Sequence, residues 1–179
     1  AEFLTNKGYD IQNYKHVARF GYLKNAKKFL EHQLSAEEAG KILNETNSYY
    51  WENRWVIPKQ KEEFKVNFST TGKLAQYDHI IDEDAPGDSL TTENALQVAQ
   101  LFLTGAVGLW DMENWKLENT NTEVHNNRID HEFEWKEIAF NTKEGSHRIT
   151  VRVQGSEVNY YNEWIKVSST WTRDFDKRD

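Results

Sequence analysis

The 179 residues of this chain are enough for one large or two small domains with a real core. Only 37% are hydrophobic, but 7 Trp, 8 Tyr and 9 Phe supply apolar area that a disordered chain lacks, so the chain reads as folded. A net charge of −7 with no basic run argues against a nucleic-acid backbone or an anionic membrane surface as partner, since both bind through clustered Lys and Arg. Without cysteine there are no disulfides or thiolate metal sites, and no stretch approaches the roughly 20 apolar residues of a spanning helix.

The first residues, AEFL, look like the end of a helix that Gly8 closes, and Met112 is the only methionine, so the chain reads as cut or processed from a longer protein. Residues 9–20 alternate weakly, as an opening strand. Ala26, Phe29 and Leu30 recur at helical spacing, which predicts a short amphipathic helix over 23–33. Ser35 and Glu38 form a capping box that starts a second helix near Ala36, with Ala39, Ile42 and Leu43 as its buried stripe.

From Tyr49 the period becomes two. Tyr49, Trp51, Trp55 and Ile57 share one strand face, Phe64, Val66 and Phe68 continue the pattern, and the Thr71-Gly72 turn leads into a third strand over 74–81. The segment DEDAPGDS, 82–89, combines Pro, Gly and acids and reads as a linker. Thr91 caps a third helix with Ala95, Val98, Ala99, Phe102 and Leu103 on its apolar stripe. After it, 115–119 reads as a weak strand, 119–128 as a polar loop or a ragged hairpin, and Phe133 and Trp135, then Ile149 to Val153 and Val158 to Val167, as further strands.

Two segments repeat. LSAEEAGKIL, 34–43, aligns without gaps on LTTENALQVA, 90–99, and each is followed by alternating aromatic stretches and a hairpin. The expected fold is therefore α+β: two tandem units, 1–83 and 84–179, each a helix packed on an antiparallel β-meander. In that arrangement Trp51, Trp55, Phe133 and Trp135 lie under the helices.

Catalytic signatures are missing. His131-Glu132 lacks the second histidine of a helical zinc motif, although His125, Asp130 and His131 would offer nitrogen and oxygen ligands if the polar loop folded back. Asp82, Asp84 and Asp88 offer carboxylates to a hard cation, without the spacing of an EF-hand. Glu132 and Glu134 share a strand face, where cross-strand Lys or Arg partners are the expected neighbours rather than a substrate. No cofactor is implied. Tyr160, Tyr161 and Trp164 on the last strand are the candidate binding residues, with core or rim packing as the competing reading.

The ordered segments GYDIQNYKHVARF, YYWENRW, KEEFKVNFSTTGKL, IDEDAPGDSLTTENA, RIDHEFEW and VRVQGSEVNYYNEWIKV resemble the large soluble domain of some bacterial CPBP (CAAX-protease and bacteriocin-processing) intramembrane metalloproteases, from Gly8 to about Phe175. The helix-plus-meander unit is also similar to PepSY-type and cystatin-like modules. The family's Glu-Glu-x-x-x-Arg motif is not reproduced, because Glu37-Glu38 and Glu62-Glu63 both lack the arginine. The resemblance thus implies a non-catalytic, extracytoplasmic domain, attached to the transmembrane protease portion of the same polypeptide, with a role in peptide or protein binding, inhibition or substrate presentation. Two rival readings are a periplasmic small-molecule or carbohydrate binder that stacks its ligand on Tyr160 and Trp164, and a metal-dependent hydrolase using His125, Asp130 and His131.

Overall fold

The computed structural model describes residues 1–140, 142 and 144–176, with the side chains of 174–176 left aside. The end of the second expected unit, 177–179, and positions 141 and 143 lie outside the described residues. Among the described residues, eight strands form one antiparallel sheet. In chain order the elements are α1 (Glu2–Asn6), β1 (Lys15–Tyr22), α2 (Lys24–Gln33), α3 (Ala36–Glu45), β2 (Tyr49–Val56), β3 (Glu63–Ser69), β4 (Leu74–Ile80), α4 (Thr92–Phe102), β5 (Trp115–Val124), β6 (Ile129–Glu137), β7 (Gly145–Gln154), β8 (Glu157–Val167) and α5 (Ser169–Asp176). The spatial order is β1-β2-β3-β4-β8-β7-β6-β5, so the two halves of the chain meet where β4 pairs with β8.

Register explains why one face of this sheet is buried. A row of paired residues crosses all eight strands as Ala18, Asn53, Val66, Tyr77, Tyr161, Val151, Phe133 and Thr120. Its five central members are fully buried. The neighbouring row, one residue along, is Arg19, Glu52, Asn67, Gln76, Asn162, Thr150, Glu134 and Asn119, polar throughout. Because side chains alternate between faces with a period of two, the sequence lays down one apolar face for the helices and one polar face opposite, where Asn67 and Thr150 are themselves buried.

The expected pair of helix-on-meander repeats is not what forms. α2 and α3 pack on each other and on the far end of β8, where Ala26, Phe29, Leu30, Ala39 and Leu43 bury Ile165. The physical reason is strand length. β8 continues past its last pairing with β4 at Asn162, leaving Glu163 to Val167 with apolar positions to cover, and the α2–α3 hairpin takes that place. Gly145 on β7 permits the approach, since a Cβ there would lie 2.6 Å from Phe29 Cε1. The helix face of β3 and β4 is instead covered from the N-terminus, with Phe3 against Tyr77 at 5.2 Å between ring centres and Tyr9 against Phe64 at 4.7 Å. α4 lies over β6, β7 and β8, and its Phe102 ring meets Tyr77 and Tyr161.

Several local expectations hold. Ser35 Oγ accepts from the Glu38 amide while the Glu38 carboxylate accepts from the Ser35 amide, a complete capping box. Thr91 caps α4 through the Asn94 amide, and Trp55 and Trp135 are buried. Others fail. Trp51 is 51% exposed, because α2 and α3 lie elsewhere and leave this margin of the sheet bare. The opening strand begins only at Lys15. Of the two readings of 119–128 the hairpin is the one that forms: 119–124 is strand, since the β6 edge offers it a hydrogen-bonding partner while its own side chains stay in water.

Candidate binding site

The sequence candidates on β8 part company in the structure. Tyr161 belongs to the buried row and is fully enclosed, whereas Tyr160 and Trp164 point to the polar face. Both are already engaged there: the Arg152 guanidinium lies 5.1 Å from the Tyr160 ring centre, and Trp164 Nε1 donates to Thr150 Oγ1 at 3.1 Å. Stacking a sugar on them would mean displacing these contacts.

The residues of the hydrolase reading do not converge as ligands. His125 Nε2 lies 3.1 Å from Asp130, whose carboxylate also accepts from Arg128 and from the Gly155 amide. His131, on the opposite strand face, has both ring nitrogens occupied, Nδ1 with Thr122 Oγ1 at 3.0 Å and Nε2 with the Leu90 carbonyl at 2.9 Å. The acidic linker is pinned rather than gathered. Asp82 pairs with Lys61, Asp88 accepts from Ser156, and the Ala85 carbonyl accepts from buried Arg128. Among the described residues no three His, Asp or Glu side chains are placed to hold a metal ion. Glu132 and Glu134 face cross-strand Arg152 and Arg148.

Sequence reasoning missed a different cluster. α3 ends in a Schellman turn, with the Ser48 amide donating to the Leu43 carbonyl at 3.0 Å and Asn47 left-handed at φ 51°. That turn carries Asn47 onto β8, where its Nδ2 donates to Glu163 at 2.6 Å. Glu163 stands beside His147 of β7, whose Nε2 lies 2.8 Å from Glu163 and whose Nδ1 lies 2.7 Å from Glu137 at the end of β6. Both ring nitrogens thus face carboxylates, which only the doubly protonated imidazolium satisfies. Burial by itself would lower the imidazole pKa, but the hydrogen bonds to Glu137 and Glu163 outweigh it and lift the pKa to about 9. The Tyr161 phenol, buried and beside Glu163, is pushed well above its ordinary value.

These groups form one wall of a cavity of about 270 Å³, closed on the other side by the segment after α4, including Leu109, Asp111 and Trp115. The sequence carried a signal that was not read: Glu163 and His147 both occupy the apolar register of their strands, two residues from Tyr161 and Ile149. A charge on the inward face of a core strand needs a buried partner.

A second surface is the β1 margin. Among the described residues β1 has β2 as its one neighbour, seven of its eight residues are exposed, and Phe20 and Tyr22 stand bare beside Trp51. The Phe20 and Trp51 rings meet edge to face at 5.6 Å. The opposite edge, β5, is broken by a bulge between Leu117 and Asn119 and carries Asn, Thr and Glu. Bulges and polar side chains guard a sheet edge against pairing, and β1 has no bulge, so it is the more open of the two.

Among the described residues no helix is long and apolar enough to cross a membrane. No family model, no curated protein and no solved structure matches this chain.

Proposed function

We propose that the chain is a non-catalytic binding module of a membrane-bound CAAX-type protease, on the extracytoplasmic side, which holds an extended segment of a peptide or protein substrate against β1. The observation that carries this reading is the unpaired, bulge-free β1 edge flanked by exposed Phe20, Tyr22 and Trp51. An added strand satisfies the row of free amides and carbonyls, and its alternate side chains rest on the aromatic margin, which supplies specificity as well as area. Strand addition needs no catalytic group, in keeping with the engaged state of His131, Glu132 and Glu134.

Two measurements test it. The full-length gene should encode spanning helices bearing the Glu-Glu-x-x-x-Arg and histidine motifs, and a polypeptide without them would overturn the protease assignment. Peptides selected from a ten-residue display library on the wild-type domain should slow amide exchange in β1 and lose binding to the Phe20→Ser, Trp51→Ser double variant. Selected peptides that leave β1 exchange unchanged would overturn the strand-addition mode.

A further inference from the structure

The cavity between the end of α3, β7, β8 and the segment after α4 has a chemistry independent of the β1 edge. We infer that it is a binding site for an organic cation of the primary-amine class, such as a lysine side chain or a peptide amino terminus.

Four carboxylates line the cavity, from Glu45, Asp111, Glu137 and Glu163, against the cationic groups of Lys73 and His147. The His147 imidazolium is consumed by the bridge between Glu137 and Glu163, so it neutralises part of this charge without occupying the space. Acceptors remain over. Glu137 meets His147 through Oε2 and its side chain is 29% exposed, while Asn47 lines the same wall with its Oδ1 buried and without a donor. An acceptor left unmade beside a cavity costs free energy that an entering N–H recovers. Asn47 is 8% exposed and held in the left-handed region by the turn that ends α3, so it is placed by the fold rather than by its own rotamer choice. The carbonyl end of α3, marked by Glu45 at the cavity rim, adds the negative end of the helix dipole.

The shape selects within cations. A volume of about 270 Å³ admits a butylammonium arm, and Leu74, Val107, Leu109 and Ile149 offer its methylenes an apolar wall. An ammonium brings three donors to a site with surplus acceptors. A bare divalent ion would need several oxygens around one point, and the nearest two carboxylates are already held apart by the imidazolium ring.

The test is an amide-shift titration of the folded domain with Nα-acetyl-lysine amide, its counterpart without the ammonium group, Nα-acetyl-norleucine amide, Nα-acetyl-arginine amide and calcium chloride. The lysine probe should shift the resonances of Asn47, His147 and Glu163 saturably, and the norleucine probe should not. Glu137→Gln, which keeps the size of a side chain 29% exposed, should weaken lysine binding about tenfold, the usual scale for one charged hydrogen bond. Glu163→Gln should weaken it at least as much where that variant keeps the wild-type spectrum. Equal shifts from lysine and norleucine, tighter saturation by arginine or calcium, or unchanged affinity in Glu137→Gln would each overturn the assignment. Because Phe20→Ser and Trp51→Ser leave the cavity intact, failure here and failure of strand addition are read separately.

Discussion

Raising the pH should remove the contribution of the His147 bridge to stability, with a size set by the two carboxylates that hold it. An imidazole in the unfolded chain titrates near 6.5, whereas in the folded protein it titrates at about 9. A folded pKa above the unfolded one means that the native state binds the proton more tightly. The stability it contributes is therefore fully present below about 6.5 and is lost as pH rises through about 9. A gap of roughly two and a half pH units at about 1.4 kcal/mol each gives about 3–4 kcal/mol in all, with a steepest slope of about 1.4 kcal/mol per pH unit. The assay is urea denaturation of wild type and His147→Gln at intervals from pH 6 to 9.5, reading the difference between the two curves. Taking the difference cancels groups common to both proteins. The upper limit stays below about 10, where phenols of the unfolded chain ionise and where a part-buried Tyr14, pushed up to about 12 by burial and by Glu62, would begin to add its own loss of stability. A second reading is the imidazole carbon-bound proton of His147, which should shift near pH 9 in NMR. Parallel stability curves, or a His147 midpoint near 6.5, would refute the bridged-imidazolium account.

Two further predictions probe the packing. Trp135→Ala should cost roughly 3–5 kcal/mol because the indole is 2% exposed at the centre of the core, whereas Trp51→Ala, at 51% exposed, should cost less than about 1 kcal/mol; equal denaturation midpoints for the two variants would show that the register assigned to β2 or β6 is wrong. Gly145→Ala places a methyl 2.6 Å from the Phe29 ring and should cost about 1–3 kcal/mol by prising α2 from β7, and a neutral result would show that this helix is not seated there.

Local physics made much of the chain legible from its residues. The Ser35 capping box, the Thr91 cap, the period of two from Tyr49 and the turn glycine Gly72 are decided within a few residues, and each appears where the pattern puts it. Alternation also separates the apolar row from the polar one, so the burial of Trp55, Phe133 and Trp135 follows from sequence.

Partner choice between distant segments is another matter. Periodicity says that α3 and β8 each have an apolar side, but not that they face each other, because the gain from burying Leu43 against Ile165 depends on area and not on order along the chain. The 34–43 and 90–99 similarity recorded two helices of the same kind, and their different seats came from β8 outrunning β4 and from the N-terminal aromatics taking the vacant cover. The same limit hid the cavity. His147, Glu137, Glu163 and Asn47 stand on four separate elements, and only the pairing of β6, β7 and β8 together with the turn after α3 brings their charges within hydrogen-bonding distance. A sequence dictates the alternation that makes a face. The tertiary fold decides which faces meet, because surface burial is indifferent to chain connectivity while electrostatic pairing acts only across the few ångströms that packing creates.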